Sequence, residues 1–167
     1  MATRLKLFNG AMPTTAAFVA VTTGTSIKTL LQLKAFNVAK IIAWGISFDG
    51  AAAAAGIQCE LIETGTIFGT VTAHADADIY KTDGAEGAVA SVQGLTLGTT
   101  ATGYTCSSEG SIVSVKIFDD EFVQPTNGYI YQFPLGQEPK LIIGNAYRVR
   151  VKAAAAVNAI TWVELEF

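Results

Sequence analysis

Between residues 38 and 50 the large apolar side chains fall on every second position: Val38, Ile42, Trp44, Ile46 and Phe48, with Lys40 interrupting the row. The alternate positions, Ala39, Ile41, Ala43, Gly45 and Ser47, are mostly small. Helical neighbours recur at three and four residues, so a period of two predicts a strand. The stretch reads as a long, central, antiparallel strand with a bulky core face and a flat second face.

The same period recurs along the chain. Residues 27–33 place Ile27, Thr29, Leu31 and Leu33 on one face, with Lys28 and Gln32 on the other. Residues 57–63 turn Ile57, Cys59 and Leu61 inward, and Gln58 and Glu60 outward. Residues 111–119 align Val113, Val115 and Ile117 against Ser114 and Lys116. Residues 129–135 align Tyr129, Tyr131, Phe133 and Leu135, and Pro134, which cannot donate to a ladder, ends that strand or places it on an edge. The last two strands, 147–152 and 160–167, are the cleanest. If they pair, Arg148, Arg150 and Lys152 lie near Glu164 and Glu166 on a solvent face.

Connections follow from turn chemistry. Asp49-Gly50 is a hairpin-type pair, and residues 124–128 form a turn ending in Asn127-Gly128. Two alanine runs, 51–55 and 153–156, are too short for independent helices and read as loops. Residues 64–110 are weakly patterned and rich in Gly, Thr and Ala, with short pairings expected near residues 68–72. So long a connection in a compact domain is functional or ordered by contact. Residues 1–26 read as an arm, within which residues 4–8 alternate and can pair as a short strand. Phe8 and Phe18 on that arm must pack on the body or on a neighbour.

About eight strands without an amphipathic helix predict an all-β fold. The expected form is a single-domain antiparallel β-sandwich, a jelly-roll, over residues 27–167. Its core is expected from the Trp44 row, Val113, Val115 and Ile117, Tyr147, Val149 and Val151, and Val163, Leu165 and Phe167.

Composition then narrows the function. Of 167 residues only 15% are charged, the net charge is −3, and mean hydropathy is +0.39. With no apolar run long enough to span a bilayer, that excess of apolar residues implies surface covered by another copy or a larger assembly. No basic cluster points to nucleic acid, and the N-terminus lacks the apolar core of a secretion signal, so synthesis in the cytoplasm is expected. Cys59 and Cys106 lack metal-type spacing and read as two free thiols, a disulfide being the alternative.

Candidate chemistry is sparse. If extended, His74, Asp76 and Asp78 share a face as a metal-type trio, but without a second His or Cys cluster they read as a solvated polar loop. Asp119, Asp120 and Glu121 lack the spacing of a calcium loop and read as a solvated strand end. Glu60 and Glu63, three apart in a strand, face opposite sides and cannot act together. Trp44, Tyr129, Tyr131 and Phe133 could suggest a sugar-stacking platform, but strand aromatics in so apolar a row read as core. No catalytic residues, metal, cofactor or small-molecule substrate are expected.

Five segments carry a resemblance: Ile41-Ile-Ala-Trp-Gly-Ile-Ser-Phe-Asp-Gly50, Cys59-Glu-Leu-Ile-Glu-Thr64, residues 105–109, residues 125–139 with their Pro134-Leu-Gly turn, and Tyr147-Arg-Val-Arg-Val-Lys152 running on to Ala159. In the order of these strands and turns the chain resembles the small jelly-roll decoration (cement, minor capsid) proteins of tailed bacteriophages. The resemblance implies a structural virion protein on the outer capsid surface, trimeric at three-fold positions, whose partners are itself and the major capsid protein. Neither nucleic acid nor membrane would be bound. Phe8, Phe18, Ala43, Gly45, Phe68 and Tyr104 are the expected oligomer or capsid contacts. The alternatives are a carbohydrate- or receptor-binding virion module and a shell-forming jelly-roll protein.

Overall fold

The computed structural model describes residues 2–51, 55–82, 94–112 and 116–167. Among them the strands are β1 (Arg4–Phe8), β2 (Val21–Thr22), β3 (Lys28–Lys34), β4 (Ala39–Phe48), β5 (Ile57–Glu63), β6 (Thr70–Ala73), β7 (Tyr80–Lys81), β8 (Gly103–Ser108), β9 (Lys116–Val123), β10 (Gly128–Gln132), β11 (Lys140–Leu141), β12 (Ala146–Lys152) and β13 (Asn158–Glu166). They form two antiparallel sheets. The seven-stranded one runs β10-β4-β13-β1-β7, with β11 on β4 and β2 on β13; the six-stranded one runs β6-β8-β3-β12-β5-β9. The fold is thus the expected all-β sandwich, with more strands than expected because several of them span only two to four residues.

Alternation drives the layering. Leu5 and Leu7, Ile57, Cys59 and Leu61, Tyr147, Val149 and Val151, and Val163 and Leu165 fill the space between the sheets, all effectively buried. In β4 the phase of alternation changes partway. Leu165 lies opposite Ile41 and Glu164 opposite Ala43, so Ile42 is an extra, bulged residue. Ala39 and Ile41 therefore point inward before the bulge, and Trp44 and Ile46 after it. The expected single core row is corrected at its start: Val38 is 62% exposed and Ile42 half-buried.

A second bulge sits between β5 and β9, where Leu61 faces Asp119 and Ile62 faces Ile117. It turns Ile117 outward, contrary to expectation, and lets the Phe118 ring stack on Tyr147 at 6.0 Å. Val113 and Val115 lie outside the described residues. Leu135 is also corrected: β10 stops at Gln132 ahead of Pro134, and Leu135 is 96% exposed in the turn beyond.

Three long-range expectations change. First, β12 and β13 do not pair; they belong to opposite sheets. Arg150 bonds Glu60 of β5 at 2.6 Å, Glu166 bonds Arg4 of β1 at 3.0 Å, and Arg148 is buried. Second, Asp49-Gly50 closes no hairpin, since β4 and β5 also lie in opposite sheets; instead the Gly50 N–H donates to the Pro125 carbonyl at 2.7 Å. Third, the arm does not begin at residue 1. β1 is an inner strand between β13 and β7, and only the stretch beyond it, apart from β2, is irregular.

The flat second face of β4 is kept only beyond the bulge, and at Gly45 it is occupied. A Cβ built on Gly45 would stand 2.8 Å from the Trp162 indole, which lies across the strand from it. On its other side that indole receives the Lys6 ammonium, 3.7 Å from the ring centroid. Gly45→Val should therefore destabilise the fold by about 1–3 kcal/mol. In denaturant titrations the penalty should shrink in a Trp162→Ala background; an equal penalty there would show that the indole is not what the new side chain meets.

Candidate functional site

The six expected contact residues divide between the two sheets. Phe8 pairs with Trp162, Gly45 with Trp162 on its other side and Ala43 with Glu164, so all three share the outer face of the seven-stranded sheet. Phe18 joins them, its ring 5.5 Å from Phe8, while Tyr80 packs edge-on to Phe8 at 6.5 Å. Phe68 and Tyr104 are elsewhere: Phe68 receives the Lys34 ammonium at 4.7 Å, and Tyr104 packs on His74 at 4.9 Å. The six therefore do not form one surface.

The polar candidates are built into the fold. His74 is buried, not in a solvated loop, and its Nε2–H donates to the Phe8 carbonyl at 2.9 Å while Nδ1 has no partner. Residues Asp76–Asp78 form a single 3-10 turn rather than an extended trio. Asp78 accepts from Ala75 N and Met12 N, each at 2.8 Å, so its carboxylate ties the turn to the segment after β1. Among the described residues no group of three His, Cys, Asp or Glu is placed to hold a metal ion.

Asp119 is not at a solvated strand end. Facing the interior of β9, its Oδ2 accepts from Trp44 Nε1 and from the Tyr129 hydroxyl, both at 2.9 Å. Burial, and then this bond, push the Tyr129 phenol up from its ordinary value. Trp44, Tyr131 and Phe133 are core or core-packed, as expected of strand aromatics. Glu60 faces Arg150 and Glu63 faces Tyr147, on opposite sides of β5. Both cysteines are free thiols; burial, then the acids Asp120, Glu121 and Glu60, push Cys59 up to about 12.

Among the described residues, several exposed apolar side chains gather on adjacent turns. Phe36 and Val38 lead into β4, and Ile142 and Ile143 follow β11; these two connections meet where Gly144 N–H donates to the Ala35 carbonyl at 3.0 Å. Leu141 lies opposite Ala39 in the ladder, which keeps the two turns side by side. Leu135 belongs to the neighbouring turn, in a hollow shared with Lys40, Ile42 and Glu138. Five exposed large apolar side chains are thus concentrated at one end of the sandwich. Lys40, Lys140 and Lys116 stand beside them, with Lys40 matched by Glu138 and Lys116 by Glu63. Turns are ordinarily polar, so apolar residues placed in Gly- and Pro-marked turns, as in Pro134-Leu-Gly136 and Ile142-Ile-Gly144, were the readable signal of this end. Strand patterning passes over it because turns have no period.

Comparison of the chain with protein-family models, with curated proteins and with solved structures finds no match.

His74 gives the site a pH signature. Burial holds its imidazole below the ordinary histidine value, outweighing the Phe8 bond and the Asp78 charge, which act upward. As pH falls the unfolded chain takes up this proton first, so stability declines with acid. The contribution is complete above about pH 6.5 and is lost as pH drops through the folded-state value. Wild type should lose melting temperature between pH 7.5 and 5.5, and His74→Phe, which cannot titrate, should lose less. Equal slopes would assign the pH dependence to other groups.

Proposed function

We propose that the chain is a non-catalytic structural protein of the jelly-roll type that seats on the outer surface of a tailed-phage head and reinforces the shell, acting as a trimer. The observation that supports this reading best is the apolar end formed by Phe36, Val38, Leu135, Ile142 and Ile143. Isolated exposed apolar residues are ordinary, but several large ones gathered on adjacent turns favour a docking role. The low charge and the residue-level resemblance of the strands and turns to capsid decoration proteins point the same way.

The mechanism is multivalent clamping. A single footprint of a few apolar side chains binds weakly. Joining three footprints in one trimer raises the effective concentration of the second and third, so modest contacts add up to durable attachment. The two tryptophans give little support to a carbohydrate platform, since Trp44 is buried and Trp162 is covered by Gly45 on one side and Lys6 on the other.

The test is reconstitution on expanded phage heads stripped of their own decoration protein. The wild-type chain should bind at saturable copy number, visible by electron microscopy at three-fold positions, and should run as a trimer by solution mass. Val38→Asp combined with Ile143→Asp should weaken binding at least about tenfold, ~1.4 kcal/mol, while leaving the melting temperature nearly unchanged. Undiminished occupancy would remove this end as the footprint, and absence of wild-type binding to any head would remove the reading itself.

A further inference from the structure

At the start of β9 three side chains meet in an arrangement that the reading above does not use. Glu63 Oε2 accepts from Lys116 Nζ at 3.2 Å, and Glu63 Oε1 accepts from Asn145 Nδ2 at 2.5 Å. The carboxylate is nearly buried, its side chain 6% exposed, and it lies opposite Tyr147, on which Phe118 stacks. An amine, a carboxamide and a carboxyl group bridging the two are the components of an amide-forming reaction. From this geometry we infer that Lys116 and Asn145 can join in an intramolecular isopeptide bond, with Glu63 as the proton relay.

The steps balance without any outside reagent. A proton passes from the Lys116 ammonium to Glu63 Oε2, leaving a neutral amine and a protonated carboxyl group. The amine attacks Cγ of Asn145, whose amide turns so that Oδ1 accepts a hydrogen bond from the protonated Glu63. This polarises the carbonyl and stabilises the charge that develops on its oxygen. As the tetrahedral carbon collapses, the Nζ–Cγ bond is retained and the Cγ–Nδ2 bond breaks. Glu63 relays two protons in all from Nζ to Nδ2, so nitrogen leaves as ammonium and Glu63 ends as the carboxylate it was at the start. Nothing is oxidised or reduced.

Proximity favours the reaction and solvation of the amine opposes it. Both partners touch one carboxylate, so encounter needs no search. The Lys116 side chain, however, is 62% exposed, and its ammonium is well hydrated. The reaction is therefore a slow, single-turnover maturation, not a fast step of folding. Its product would tie β9, the outermost strand of the six-stranded sheet, to the connection between β11 and β12. That is a covalent clamp on an edge strand, laddered on one side only, and it stands whether or not the protein binds a capsid.

The experiment is mass spectrometry of the purified full chain after prolonged incubation near neutral pH and at about pH 9, closer to the lysine range. Wild type should accumulate a species lighter by one ammonia, and tandem spectra should show residues 116 and 145 in one branched peptide. Asn127-Gly128 can also lose ammonia by cyclising on its own backbone, so the branched peptide and not the mass is decisive. Lys116→Arg keeps the ion pair and the fold but should abolish the branch, and Glu63→Gln should slow its formation about a hundredfold. Wild type without the branch at either pH would overturn the inference, as would a branch at residue 145 that persists in Lys116→Arg.

Discussion

Burial of the Arg148 guanidinium is the constraint on which the six-stranded sheet and its long connection depend. Arg148 sits in β12, the strand between β3 and β5, on the face turned away from the core, and yet its side chain is fully buried. A cation taken out of water must be surrounded by acceptors, or its burial costs several kcal/mol. The acceptors come from residues distant in sequence: the Ile67 carbonyl at 2.7 Å, the Glu109 carbonyl at 2.8 Å and the Glu109 carboxylate at 3.2 Å. Both ends of the Gly/Thr/Ala-rich connection are thus fastened at one charge. Arg148 Nε has no partner, but other buried polar side chains around it are satisfied in the same way. Gln32 bonds Gly69 at both its N–H and its carbonyl, and Ala101 at its carbonyl, while Thr29 donates to Glu109 through both N–H and hydroxyl. What looked like a sheet face for solvent is a second, polar core beneath a loop.

The two bulges do comparable work inside the sandwich. Without the extra residue at Ile42, the register that buries Ile41 would turn Trp44 to the outer face. With it, Trp44 enters the core and its indole N–H reaches Asp119. Asp119 in turn faces inward only because β9 carries its own bulge one residue earlier, at Phe118. A buried indole donor and an inward carboxylate would each be costly alone, and the paired irregularities in opposite sheets bring them together with Tyr129 as a second donor.

Most strands were legible because alternation is a local property, written into each segment as in Ile57, Cys59 and Leu61 or Val163 and Leu165. Pairing was less so. Arg148, Arg150 and Lys152 beside Glu164 and Glu166 looked like a ladder because opposite charges match, but any acidic strand satisfies that test, and Glu60 serves Arg150 while Arg4 serves Glu166. Val38 and Ile117 were misplaced for one reason: a single inserted residue inverts the faces on one side of it, and nothing in composition marks where the insertion falls. His74 was misjudged because its setting of Ala and Asp looks solvated. Its burial is imposed by the Phe8 carbonyl of β1, a contact that sequence spacing cannot show. The small row of β4 is not one face, since the bulge turns Ala39 and Ile41 into the core, and at Gly45 the group that approaches is Trp162 of the same chain.

The placement of exposed apolar groups also says how this molecule can associate. Sheet edges are the usual route to uncontrolled pairing, and each edge here is blunted. β6 and β7 are four and two residues long, β10 runs out before Pro134, and β9 combines a bulge with Asp119, Asp120 and Glu121. Among the described residues strand addition is thus disfavoured at these edges, whereas the end bearing Val38, Leu135 and Ile143 presents apolar turns. That end is made of turns whose backbone bonds are largely closed within the chain, Gly144 to Ala35 and Asn145 to Ile142 among them. A surface of this kind offers apolar area without free backbone groups. Contact through it would not template a fibril.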